Sequence, residues 1–545
     1  MTDTVRRMDQ APDIRKFVLF AVSLAMALFA LSGWSAKSEA ATICVPASWS
    51  PATPPAECGQ FLNLSPALLA SESNGTPDEI LIKPGNYTGN FSYDSTGEVV
   101  DISGVGANSG DTVITLASTA GSRVGLVFHA AAGSKVSNLQ VTVPSNSDTT
   151  QDLGIDASGT NEGDVILDHV KVDGPQSDNA TGVRCGNCIL RNSTVDLTTS
   201  VNNGYNVAVT QNGGVAHVEG SSLTAATGFV HGSPNETSTI SRSRIKAQVG
   251  ATTDGGFIDI DNTLILLDNK PGATGLNFHN GNDPVNPLEM GGSIDHVTIV
   301  NGVDNTVDDS TGIAAIADTA TETVTVNISN SVIAGFTGTQ SAPFAGRTIQ
   351  LQVTNGGHAL VDAKYSAFDY WQSLIEYDAP NYEYTFDDHH LNIQDGPKFV
   401  DAENGNYTPA ADSPLVDAGD PAEPAPGATD LFGNHRSCHG TDAGSIRRDI
   451  GAIERLVNPA DDCTYPDTTI SAKPDAISPS TDAHFEFTST KSPGTFLCTL
   501  DEGTETVCPS PFNLSNLDAG GHTITVRAKD QYGNIDQTQE SYFWD

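Results

Sequence analysis

A short unit recurs through the middle of this chain: an apolar residue, four residues, then a second apolar residue. It reads VSNLQV from Val136, LDHVKV from Leu167, LRNSTV from Leu190 and VEGSSL from Val218. It continues as ISRSRI from Ile240, IDNTLI from Ile260, IDHVTI from Ile294 and ISNSVI from Ile328. Eight starts span 192 residues in seven steps, about 27 residues per step. Between about residues 80 and 370 no helical period is sustained; short β-rich segments alternate with Gly, Asn and Asp. Such a period without helices predicts a coil of stacked parallel strands, because one unit cannot bury its own apolar face.

Two residues after each start stand Asn138, His169, Asn192, Gly220, Arg242, Asn262, His296 and Asn330. Asn, Gly and His dominate this slot, and they tolerate a left-handed backbone, so a bend between two strands is expected there. Rungs about 4.8 Å apart would stack these bends in one column, with asparagines forming a ladder. A second family of strands precedes the bends: GLVFH from Gly125, GIDAS from Gly154, GVRCG from Gly182, GYNVA from Gly204, GFVHG from Gly228, GLNFH from Gly275 and GIAAI from Gly312. Period-two alternation points the residue after each Gly inward and the next one outward. The outward column is then Val127, Asp156, Arg184, Asn206, Val230, Asn277 and Ala314, with His129 and His279 two positions further along. The unit at Ile260 fits least well, because Gly256 leaves little chain before it.

These segments resemble the right-handed parallel β-helix of the pectin-lyase-like superfamily over roughly residues 60–455. Gly396-Pro397-Lys398-Phe399-Val400-Asp401, Ser413-Pro414-Leu415-Val416-Asp417-Ala418-Gly419 and Asp449-Ile450-Gly451-Ala452-Ile453-Glu454 look like the closing segment of secreted bacterial β-helix proteins, the choice-of-anchor Q type. The resemblance implies a cover over the last rung, across residues 396–455. After a linker at 456–465 the texture changes to alternating Phe485, Phe487 and Phe496, then Cys498, Cys508 and a Thr/Val-rich strand from His522. Residues 466–545 look like a bacterial immunoglobulin-like module, a small β-sandwich. The expected fold class is therefore all-β: a right-handed parallel β-helix over 41–455 and an Ig-like sandwich.

The first forty residues read as a signal peptide. Arg6, Arg7, Arg15 and Lys16 precede an apolar run from Phe17 to Leu31, and Ser38-Glu39-Ala40 supplies small residues for cleavage. Fifteen apolar residues fall short of a comfortable membrane span, and no later stretch is long enough. The expectation is a secreted or cell-surface protein. Eight cysteines suit that compartment, with local pairs Cys44–Cys58, Cys185–Cys188, Cys438–Cys463 and Cys498–Cys508 as the economical connectivity. Lys+Arg number 26 against 67 Asp+Glu, a net charge of −41, which argues against nucleic acid or an anionic membrane as partner.

Three motifs imitate catalytic sites. Asp168-His169 and Asp295-His296 resemble the Asp-His pair of pectate lyases, yet both occupy the bend slot. Arg244-Ile245-Lys246 resembles the Arg-Ile-Lys of polygalacturonases, but Gly356-Gly357-His358 and Asp387-Asp388 follow it where that family places its counterparts before. Asp387-Asp388-His389-His390 has divalent-cation ligands, but near the coil's end such a run is more often a solvated polar turn. The outward column offers the remaining chemistry. Asp156, Arg184, Asn206, Asn277 and His279, with His129, are candidate saccharide contacts: an arginine can neutralise a sugar carboxylate, and an aspartate can hold Ca²⁺. No cofactor is required. Three function classes follow: a non-catalytic surface protein binding a polysaccharide or cell-envelope glycan, a polysaccharide lyase or glycoside hydrolase, and a structural or adhesive rod.

Overall fold

The computed structural model describes residues 41–45, 60–72, 77–95, 97–117, 123–144, 151–159, 164–174, 179–197, 206–268, 270–279, 289–302, 310–336, 347–368, 375–377, 382–386, 391–393, 396–422, 428–436, 447–456, 466–475, 478–491, 494–501, 503–530, 535–536 and 538–544. The expected signal peptide, Cys58, Cys438, Cys463 and the Asp387–His390 run lie outside them. Three all-parallel sheets of 14, 12 and 11 strands form a right-handed parallel β-helix. A representative rung gives Lys135–Ser137 to the first sheet, Gln140–Thr142 to the second and Asp152–Ala157 to the third. The helix Leu64–Ser71 packs its Leu64, Ala67 and Leu68 onto the core at the N-terminal end.

The repeat unit maps onto register without a slip. Val136, Leu167, Leu190, Val218, Ile240, Ile260, Ile294 and Ile328 are partners in the first sheet. Val141, Val172, Val195, Leu223, Ile245, Ile265, Ile299 and Ile333 are partners in the second. All sixteen are buried in one continuous core. Between each pair the bend residue has positive φ, from 44° at Arg242 to 56° at Gly220. Each bend N–H donates to a carbonyl one rung on: Asn138 to Asp168, His169 to Arg191, Asn192 to Glu219, and so on to Asn330 with Lys364. The bends therefore stack in one column.

The expected asparagine ladder does not form. No two of Asn138, Asn192, Asn262 and Asn330 occupy adjacent rungs, and the amides of Asn192 and Asn330 donate to Asp168 and Asp295 instead. A hydroxyl ladder runs one residue later. The Ser193, Ser221 and Ser243 N–H groups donate to Ser221, Ser243 and Thr263 side-chain oxygens. Ser193, Ser221, Ser243 and Thr263 donate back to the carbonyls of Arg191, Glu219, Ser241 and Asp261. A bend cannot continue the sheet ladder on both sides, and these buried hydroxyls satisfy the amides left over.

The rung around Ile260 is complete but short. The third-sheet strand Val249–Thr253 of the preceding rung runs directly into its first-sheet strand Gly256–Asp261, joined through Gly255 and Gly256 at φ 120° and 75°. Gly250 belongs to a column with Gly154, Gly182 and Gly275, where an added Cβ would meet the next rung's carbonyl at 2.4–2.6 Å.

Outward residues of the second sheet change character partway along. Lys171, Asp173, Arg244 and Lys246 give way to Leu264, Leu266, Val300, Val332 and Ala334. The 396–455 segment lies on this apolar stretch: Tyr407, Ala452 and Ile453 pack on Leu264 and Val300, and Leu415 and Ile450 on Val332, Ala334 and Ala367. This corrects the expectation of a cover over the last rung. The described part of the segment runs along the side of the coil, because that is where the exposed apolar surface is. Buried Arg436 anchors it, donating to Glu454 Oε1 at 2.8 Å and to Asn262 Oδ1.

The described residues between 466 and 544 form two antiparallel sheets. One contains Thr468–Ala472, Ala483–Ser489 and Phe512–Leu514; the other Thr506–Cys508, Gly494–Leu500, His522–Asp530 and Glu540–Trp544. They share a core of Phe485, Phe487, Ile524, Val526 and Trp544. Cys498 is bonded to Cys508 across a hairpin, and Cys185 to Cys188 across the corner from third to first sheet. Cys44 is also in a disulfide.

Candidate functional site

Register decides which side chains share the outer face of the third sheet. Asp156 lies beside Val127 on one side and Arg184 on the other. The column continues through Thr210, Val230, Thr252, Asn277, Ala314 and Gln350. Asn206 is not in it. It is fully buried, one residue before the strand Val207–Gln211; its Oδ1 accepts the Ala180 N–H and its Nδ2 donates to the Leu197 carbonyl. Gly204-Tyr205-Asn206 copies the strand opening in sequence, but Ala208 takes the slot of Gly182 and Gly228 and the register runs four residues later.

Four successive rungs then build a charged cluster. Phe91–Ser95 sends Phe91 and Tyr93 into the core and Asp94 outward, in register with His129. His129 Nδ1 is 3.4 Å from Asp94 Oδ1, and its Nε2 is 3.8 Å from Asp156 Oδ1. Asp156 Oδ2 accepts from Arg184 at 3.3 Å, while its Oδ1 takes the Ser158 hydroxyl at 2.5 Å and the Ser158 N–H at 3.2 Å. The Asp156 carboxylate raises the His129 pKa above its ordinary 6.5 against the burial of the ring, and Asp94 acts in the same direction. Burial opposes charge on Asp156, but His129, Ser158 and Arg184 together hold its pKa below the usual carboxylate value. The Arg184 side chain remains 32% exposed, so the ion pair itself contributes about 1 kcal/mol or less. A rung at about 4.8 Å spacing thus presents alternating acid and base to solvent. Asp94 and Ser158 were not singled out in sequence; the Phe-Ser-Tyr-Asp alternation one rung upstream is the signal that finds Asp94.

Asn277 and His279 form a separate patch. Asn277 stands four rungs from Arg184, about 19 Å along the coil, and its Nδ2 donates to Thr252 Oγ1 at 3.2 Å. His279 Nε2 is 2.8 Å from Asp318 Oδ2. The structure brings together Asp156, Arg184 and His129 but not these two.

The imitated motifs have structural partners. Burial opposes charge on Asp168, but Lys135 at 2.9 Å, Arg191 at 3.1 Å, Asn192 and His169 hold it well below the usual carboxylate range. Asp295 is likewise lowered against its burial by His296, Ser329 and Asn330. Burial, with Arg436 nearby, takes His296 down to about 4, leaving a neutral ring bonded to Asp295 at 2.9 Å. Ile245 is interior, while the Arg244 guanidinium lies 5.4 Å from the Phe432 ring. Gly356 carries φ 86° in a turn, and His358 stands 4.0 Å from Glu383. Among the described residues no three His, Cys, Asp or Glu side chains are grouped to hold a metal ion, and no helix is long and apolar enough to cross a membrane.

Neither a family model nor a curated protein matches the chain. Among solved structures, the crystal structure of the Agl-KA catalytic domain aligns with 59% of this chain and 64% of its own, under two thirds of its length, at 14% identity and a TM-score of 0.28.

Proposed function

We propose that this is an exported, non-catalytic β-helix surface protein that binds a glycan on the outer face of its third sheet. In this reading the chain is a pectin-lyase-like coil, residues 396–455 are its choice-of-anchor Q-type segment, and the Ig-like module is a spacer. The observation that carries the reading is the Asp94–His129–Asp156–Arg184 cluster on four successive rungs. It is half-buried, solvent-facing and continued by the Thr210, Val230, Thr252 column, whose hydroxyls and flat β-branched surface suit a sugar chain. Arg184 is the one cation among the described side chains of that column, which favours an acidic glycan in an otherwise negative field. Asp156 Oδ1 accepts from Ser158 and Oδ2 from Arg184, so calcium there would compete with Arg184 for the carboxylate.

A second reading, a polysaccharide lyase or glycoside hydrolase, has His129 in its favour: a raised imidazole pKa beside a carboxylate and a guanidinium is acid–base chemistry. One experiment separates the two. A polysaccharide array probed with the mature protein, with and without calcium, is scored for binding and for unsaturated or reducing-end product. Binding without product supports the first reading, product supports the second, and neither signal on any glycan removes both.

A further inference from the structure

The Asp156 carboxylate sits between two cations of different kinds. Arg184 approaches Oδ2 from the following rung and is always charged, whereas His129 approaches from the preceding rung and carries a proton only part of the time. We propose that the proton on His129 sets the affinity of this face for an acidic glycan, by deciding whether Arg184 is the sole counter-ion of Asp156. The inference rests on the acidic-glycan reading above.

The charged and titratable groups facing His129 are few. Asp94 faces it from the strand Phe91–Ser95, Asp156 and the Ser158 hydroxyl from the rung of Asp152–Ala157, and Arg184 stands behind Asp156 on Ala180–Cys185. With the imidazolium present, Asp94 and Asp156 are matched by His129 and Arg184, two charges of each sign. Without it, two carboxylates face one guanidinium and the local field turns negative. His129 Nε2 is buried and has no hydrogen-bond partner among the described residues, so nothing there but the neighbouring carboxylate holds its proton. Asp156 and Asp94 raise the His129 pKa above its ordinary 6.5. Uronate carboxylates are fully ionised at and above that value, so pH acts on the protein and not on the ligand.

The test uses the full mature chain and oligomers of galacturonate, glucuronate and mannuronate, with a neutral dextran control, titrated at about pH 5.5 and about pH 8.5. Wild-type protein should bind its uronate about fivefold more weakly at the higher pH, the scale of one partly exposed ion pair. His129→Asn should be weak and flat across the range, and His129→Lys strong and flat, with circular dichroism confirming both folds. Wild-type binding that ignores pH, or a His129→Asn variant that keeps the full pH dependence, overturns the inference while leaving the glycan reading standing. No binding of any uronate at either pH overturns the reading beneath it.

Discussion

A buried histidine at a bend makes the residue-scale energetics visible. His296 is 3% exposed, is held neutral, and its pKa is taken down to about 4. The unfolded chain protonates this imidazole near 6.5 while the folded one does not, so its contribution to stability is complete above that value and lost as pH falls toward about 4. Wild type should therefore lose stability relative to His296→Asn across that window, read from urea midpoints at several pH values; a constant difference would contradict it. The hydroxyl ladder makes a second residue-scale prediction. Ser221→Ala leaves the buried Ser193 N–H without its acceptor and removes a donor to Glu219, so it should cost about 1–3 kcal/mol in the same assay. His169→Asn, at an exposed bend that already has φ 53°, should be nearly neutral.

At the scale of elements, the described 396–455 residues dock through their apolar contacts and one buried pair. Arg436 and Glu454 are both essentially inaccessible, and Arg436 also reaches back to Asn262 on the coil. Arg436→Met leaves an uncompensated carboxyl in the interface and should weaken docking by about 3–5 kcal/mol, seen as faster proteolysis within 396–455 while the coil resists. Replacing Glu454 with Gln as well should recover part of the loss. The Cys498–Cys508 bond closes a hairpin, and replacing both cysteines with serine should lower the stability of the C-terminal sandwich by about 2–3 kcal/mol while leaving the coil's own disulfides intact.

Much of this architecture was readable because the signals are local. The bend slot needs a residue that tolerates positive φ, and Asn, Gly and His announce it. The strand pairs announce themselves by apolar spacing, and the register followed it rung for rung. Asn206 was misplaced because Gly204-Tyr205-Asn206 reads in sequence like the other strand openings, and only the neighbouring rung fixes the register. The docking place of residues 396–455 was legible in Leu264, Leu266 and Val300, outward residues that turn apolar, but that signal needs the sheet's facing to be known first. The contact of Asp94 with His129 joins strands some 35 residues apart and depends on which of two outward positions each occupies.

On the scale of the whole molecule, a strongly acidic protein presents the Asp94–His129–Asp156–Arg184 cluster on its third sheet, and the proposed function stands or falls there. The net charge of −41 repels acidic polymers generally, so any such binding must be local and salt-sensitive. The most direct measurement compares Arg184→Ala with His169→Asn and wild type for affinity toward the acidic glycan that scores best on the array. Arg184→Ala should bind at least about tenfold more weakly, the low end of a charged hydrogen bond at ~1.5 kcal/mol, while His169→Asn matches wild type. Undiminished binding by Arg184→Ala to a glycan that wild type binds would contradict the assignment of this face.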